Sequence, residues 1–113
     1  MALPHASPGE ARDVLPFGTC LPQQKTHALF KSSDLEVMRL VLLAGQRLPP
    51  HRVAGEITIQ CIEGELTIQA DHRTHALTAG QLLFLPAGQV HDVTARVNAS
   101  ALVTIALKPP RAD

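Results

Sequence analysis

The chain has 113 residues, ten Lys plus Arg against ten Asp plus Glu, three Phe, and neither Trp nor Tyr. That length suits one domain with one core, and a formal net charge of zero leaves no footprint for phosphate backbones or anionic lipid. With few aromatic platforms for stacking, neither nucleic acid nor a membrane is an expected partner. Residues 1–24 carry Pro4, Pro8, Gly9, Pro16, Gly18 and Pro22 without periodicity, so they read as an irregular N-terminal arm, either disordered or laid on the domain or on a neighbouring subunit. The start has no basic region followed by an apolar run, and no apolar run reaches bilayer length, so a cytoplasmic protein is expected. Cys20 in the arm and Cys61 in an apolar strand pattern do not suggest a disulfide framework.

From Thr26 the texture changes to short β-prone runs. THALFK comes first, then LEVMRLVL after the Ser32-Ser33-Asp34 turn, and Gly45, Pro49 and Pro50 punctuate the stretch after it. Ile57 to Ile62 is β-branched, Glu63-Gly64 reads as a turn into ELTIQA, and Ala70-Asp71-His72-Arg73 reads as a hairpin turn into THALTAG. Leu82 to Leu85, HDVTARV and SALVTIAL complete the set. Short strands at regular spacing without a convincing helix predict an all-β sandwich or barrel over residues 25–113. LEVMRLVL is apolar on both faces, which predicts a cover over its outer face. The expected cover is the partner in a homodimer, and the alternative is the N-terminal arm folded back over that face.

GQLLFLPAGQVH, residues 80–91, joins an apolar strand to a turn on Pro86 and Gly88 and delivers His91 at the start of the next strand. Gly80, five residues, Pro86, one residue, Gly88, two residues and His91 resemble the second sequence motif of the cupin family, with Ala95 where the motif ends in Asn. The family's first motif is matched in spacing by Gly45, five residues, His51, one residue, Val53, three residues, Ile57, six residues and Gly64. Two of its three ligand positions are therefore aliphatic. The fifteen residues 65–79 separate the motifs, and the resemblance covers about Leu35 to Leu107. It implies a small jelly-roll (double-stranded β-helix) cupin barrel, often dimeric, with His51 and His91 converging inside. Many family members hold a divalent metal on three His and one Glu.

Period two in a strand puts Ile57, Ile59 and Cys61 on one face and Glu56, Thr58 and Gln60 on the other. A bulge at Ala54-Gly55 would shift that register and bring Glu56 or Gln60 inward as a third ligand. Two histidines alone make a weak site for Zn, Fe, Ni or Mn. The first expectation is thus a pocket for a small, largely apolar molecule, with His51 and His91 as polar contacts and Val53, Ile57, Ile59, Cys61 and Met38 as wall. The second is a metal-dependent enzyme of dioxygenase or isomerase type, with the metal on His51, His91 and a borrowed third ligand. The third is a ligand-free dimeric interaction module. His72 in its turn, His75, His27 and His5 read as surface residues, and Arg39 as a salt-bridge partner at an edge or interface.

Overall fold

A computed structural model describes residues 5–111, which hold nine strands. They are β1 (His27–Lys31), β2 (Leu35–Leu42), β3 (Arg47–His51), β4 (Ile57–Glu63), β5 (Glu65–Ala70), β6 (Arg73–Thr78), β7 (Leu82–Leu85), β8 (His91–Ala95) and β9 (Ala99–Ala106). Four antiparallel pairs nest one outside another: β5 with β6, β4 with β7, β3 with β8, and β2 with β9. The chain is thus one long hairpin. Its tip is Asp71-His72, whose φ values of 52° and 58° are those of the two-residue turn that matches strand twist. Rolling that hairpin lets β9 also pair with β4 and β8 with β5.

The outcome is a jelly roll of two sheets, β1-β2-β9-β4-β7 and β3-β8-β5-β6. No strand pairing joins the sheets among the described residues, so the expected barrel is a sandwich open along its edges. Leu40, Leu42, Ile57, Ile59, Cys61, Leu66, Ile68, Val93, Ala101 and Val103 share the core between them. Burying each large aliphatic side chain there contributes about 1.5–3 kcal/mol. No helix among the described residues is long and apolar enough to cross a membrane.

Val37, Arg39 and Val41, on the opposite face of β2 from Leu40 and Leu42, are buried as well. At Arg39 the cover comes from the chain's own leader: Nη2 donates to the Leu15 carbonyl at 2.7 Å, and the Phe17 ring lies 4.1 Å from the guanidinium carbon. A 3-10 helix, Gly18–Gln23, comes next and buries Leu21. Further back the Ala6 amide donates to Leu29. The two-faced apolar pattern of β2 therefore does not require a second subunit here.

β3 runs through Pro49 and Pro50, a strand that its two prolines conceal from a sequence reading. It is tolerated because β3 is a sheet edge and carries a register shift between Leu48 and His51, the setting in which missing N–H groups cost no ladder bonds. The bulge at Ala54-Gly55 that a third ligand would require is not formed, and β4 pairs in unbroken register from Ile57 to Cys61. Gly55 has another reason to be glycine: a Cβ there would sit 2.1 Å from the Ala106 carbonyl oxygen. The bulge in β4 lies at the far end, where the partner of Glu63 is Ser100 although that of Cys61 is Ala101.

Candidate functional site

Between the pairs Leu48 with Val93 and His51 with His91, one residue of β8, Asp92, stands opposite two of β3, Pro49 and Pro50. The extra residue changes which face His51 presents. It puts the imidazole on the face of Leu48, directly across from His91. The rings end up 4.4 Å apart between centroids and tilted by 54°. Ala70 of β5 flanks His91 on its other side.

Both rings are anchored in the same way. Nδ1 of His51 lies 3.0 Å from the Pro49 carbonyl and Nδ1 of His91 lies 3.0 Å from the Gln89 carbonyl. A carbonyl only accepts, so each Nδ1 carries a proton, and in the neutral ring Nε2 keeps its lone pair. Burial holds His91 below the ordinary imidazole pKa. The Gln89 carbonyl opposes that shift, the His51 charge adds to it, and Asp92 opposes it. His91 is therefore neutral at pH 7. Asp92 is itself engaged by Arg47, at 3.0 Å.

A cavity of about 260 Å³ adjoins the two rings, lined by both histidines and by Thr26, Met38, Leu40, Leu48, Ile57, Ile59, Val93, Val103 and Ile105. The Thr26 hydroxyl is occupied by the Val41 backbone, donating to its carbonyl at 3.2 Å and accepting from its amide at 2.9 Å. The polar edge of the cavity is thus the imidazole pair. His91 also borders a broader polar cleft of about 500 Å³ that runs along Gln69–Thr74 and Gln89–Asp92.

Of the residues expected at the site, His51, His91, Met38, Ile57 and Ile59 line this cavity. Val53 and Cys61 do not. Val53 is half-buried and packs on the core cluster from the loop before β4. Cys61 is fully buried further along β4, where its thiol donates toward the Glu63 and Gly64 carbonyls. Burial pushes that thiol's pKa up, which suits inert filling rather than nucleophilic work. Both cysteines are free.

Glu56 and Gln60 are exposed, and with the β4 register unbroken neither turns toward the histidines. Among the described residues no group of three or more His, Cys, Asp or Glu side chains is placed to hold a metal ion. The donor set at His51 and His91 among the described residues therefore does not fit the three or more ligands that a divalent metal usually takes. Leu40, Leu48, Val93, Val103 and Ile105 are wall residues that the sequence reading missed. Their signal was an apolar side chain at an inward position of β2, β3, β8 or β9. That pattern says a residue faces inward and not which inward residues leave a void.

A second buried polar cluster lies on the outer face of the five-stranded sheet. The bulge before Glu63 turns its carboxylate toward Arg39, 3.3 Å away, and toward the Ser100 hydroxyl, which donates to it. It also accepts from the Phe17 amide at 2.9 Å and the Gly18 amide at 3.0 Å. Burial pushes the Glu63 carboxyl up, but the Ser100 hydroxyl, the two leader amides and the Arg39 charge outweigh it and leave the pKa below the ordinary range. Arg39, expected as an edge or interface salt bridge, is instead paired inside its own subunit and is 2% exposed.

Residues 38–107 match the family model described as a Cupin domain. None of the curated proteins matches the chain. Among solved structures, a conserved Streptococcus pyogenes protein of unknown function is similar with a TM-score of 0.74 and 24% identity, over 98% of this chain and 100% of that one. An RmlC-like cupin protein from Desulfovibrio desulfuricans gives 0.73 and 26% identity over 88% and 98%. An RmlC-like cupin family protein with a double-stranded β-helix fold from Methanocaldococcus jannaschii gives 0.72 and 19% identity over 89% and 95%.

Proposed function

The chain belongs to the cupin family, and on that footing we propose that it binds a small, largely apolar molecule in the cavity beside His51 and His91. The observation that carries this reading is the wall itself: eight aliphatic or thioether side chains and two imidazoles around about 260 Å³. An engineered apolar cavity of about 150 Å³ suffices for benzene, so a substituted single ring or a short branched chain has room. A ligand-free interaction module would be favoured by an interior filled with side chains, and this void speaks against it. No carboxylate, thiol or amine lines the cavity among the described residues, so a nucleophile paired with a base is not part of the proposal.

The metal-dependent reading is second, and one observation favours it. Two imidazoles with Nδ1 fixed on backbone carbonyls leave Nε2 for a ligand, as metal-binding histidines commonly do. It needs a third donor that Glu56 and Gln60 are not placed to give.

The test of the first reading plugs the cavity. Val103→Phe adds bulk to one wall, and filling a void is tolerated better than overpacking a dense core. Toluene added to the protein should shift the NMR methyl signals of Ile57, Ile59 and Ile105, and those shifts should vanish in the variant while its fold persists. Equal shifts in both proteins, or none in either, would refute cavity binding.

A further inference from the structure

The cavity makes a demand on whatever enters it that its size alone does not reveal. In His91, a buried ring, Nδ1–H is committed to a backbone carbonyl at 3.0 Å, so in the neutral ring the nitrogen left for a ligand is an acceptor, and the exposed His51 ring is fixed on its own carbonyl in the same way. Thr26 spends its hydroxyl proton on the Val41 carbonyl. The rest of the wall is hydrocarbon and the Met38 thioether. The site therefore offers acceptors without a donor to match them.

A carboxylate or ketone brings only more lone pairs. Its oxygen would lie against Nε2 unsatisfied, and an unpaired buried polar atom is costly. An ammonium group has protons to give, but its charge would be stripped of water with no carboxylate on the wall to compensate. Asp92, next to His91 in the sequence, is held by Arg47. A hydroxyl is neutral and donates, and the pair of rings 4.4 Å apart gives it two alternative acceptors.

We propose that the ligand of this cavity is a neutral hydroxyl compound, an apolar body of single-ring size whose O–H donates to Nε2 of His91 or His51. This rests on the reading that the cavity binds an apolar molecule and adds the chemistry of that molecule's polar end.

Four probes of one size separate the possibilities: toluene, phenol, benzoate and benzylamine, titrated by calorimetry into the full chain with and without EDTA. Phenol should bind about tenfold more tightly than toluene, the worth of one net hydrogen bond, and more tightly than either ion. EDTA should leave that preference unchanged, and His51→Leu with His91→Leu should erase it while toluene still binds. Equal affinity for phenol and toluene, or tightest binding of benzoate or benzylamine, overturns the hydroxyl proposal and leaves the apolar cavity standing. A phenol preference abolished by EDTA also overturns it, in favour of a metal. Failure of all four to bind defeats both readings. Should the double variant not fold, ¹⁵N shifts of the native imidazoles decide: protonated Nδ1 and bare Nε2, with Nε2 perturbed by phenol, are expected, and the opposite tautomer rules the proposal out.

Discussion

Glu63 and His91 stand at the ends of strands, the first closing β4 and the second opening β8, and each is largely shielded from water. Their surroundings differ in one respect. The carboxylate of Glu63 takes hydrogen bonds from Arg39, Ser100, Phe17 and Gly18, which uses most of the acceptor sites two oxygens offer. The imidazole of His91 has one nitrogen on a carbonyl, and its ring lines an apolar cavity. A saturated polar group locks pieces of structure together. One left half-used beside a cavity is available to bind.

The contrast can be broken most forcefully at Glu63. Glu63→Ala leaves the Arg39 guanidinium buried and uncompensated, and removal of one partner from such a pair costs about 3–5 kcal/mol. Urea denaturation should show the loss, and limited proteolysis should cut the leader near Leu15. A loss below about 1 kcal/mol would mean that the cluster is not what holds the leader down.

Acid probes the same cluster more gently. The folded-state pKa of Glu63 lies below its ordinary value, so its contribution to stability is complete above the unfolded pKa and is lost as pH falls through the folded one. Leader cleavage by an acid-tolerant protease should therefore rise as pH drops below the ordinary glutamate range. Glu63→Gln should flatten that dependence.

The smallest effect is expected at the histidines. His51→Leu and His91→Leu each give up one hydrogen bond to a carbonyl and gain apolar contact, so each should change stability by no more than about 1 kcal/mol. Thermal melts give the answer. A loss as large as that at Glu63 would make the pair part of the framework, and the distinction between the two clusters would disappear.

Much of this was legible from local pattern. LEVMRLVL became β2 with the same bounds, the Asp71-His72 turn lies where its polar residues put it, and His91 begins β8. Such features depend on period two and on turn chemistry, which neighbours in sequence set. β3 was hidden because Pro49 and Pro50 are strand breakers everywhere except at an edge or bulge, and edges are a property of the sheet. Gly55 left a bulge open on sequence grounds, and the structure gives it a close approach to the Ala106 backbone instead. The leader's grip on Glu63 spans 46 residues between Phe17 and that side chain, with no local mark to announce it.

The sequence by itself determined eight of the nine strands, the all-β class and the two histidines as the residues to watch, because hydrophobic alternation and motif spacing are written along the chain. Tertiary structure decided which face each key side chain took. One extra residue in β3 set the exposed His51 ring beside the buried His91, and one in β4 turned Glu63 outward to Arg39. Strand parity is reset by every bulge, and a bulge is defined only by the strand lying opposite.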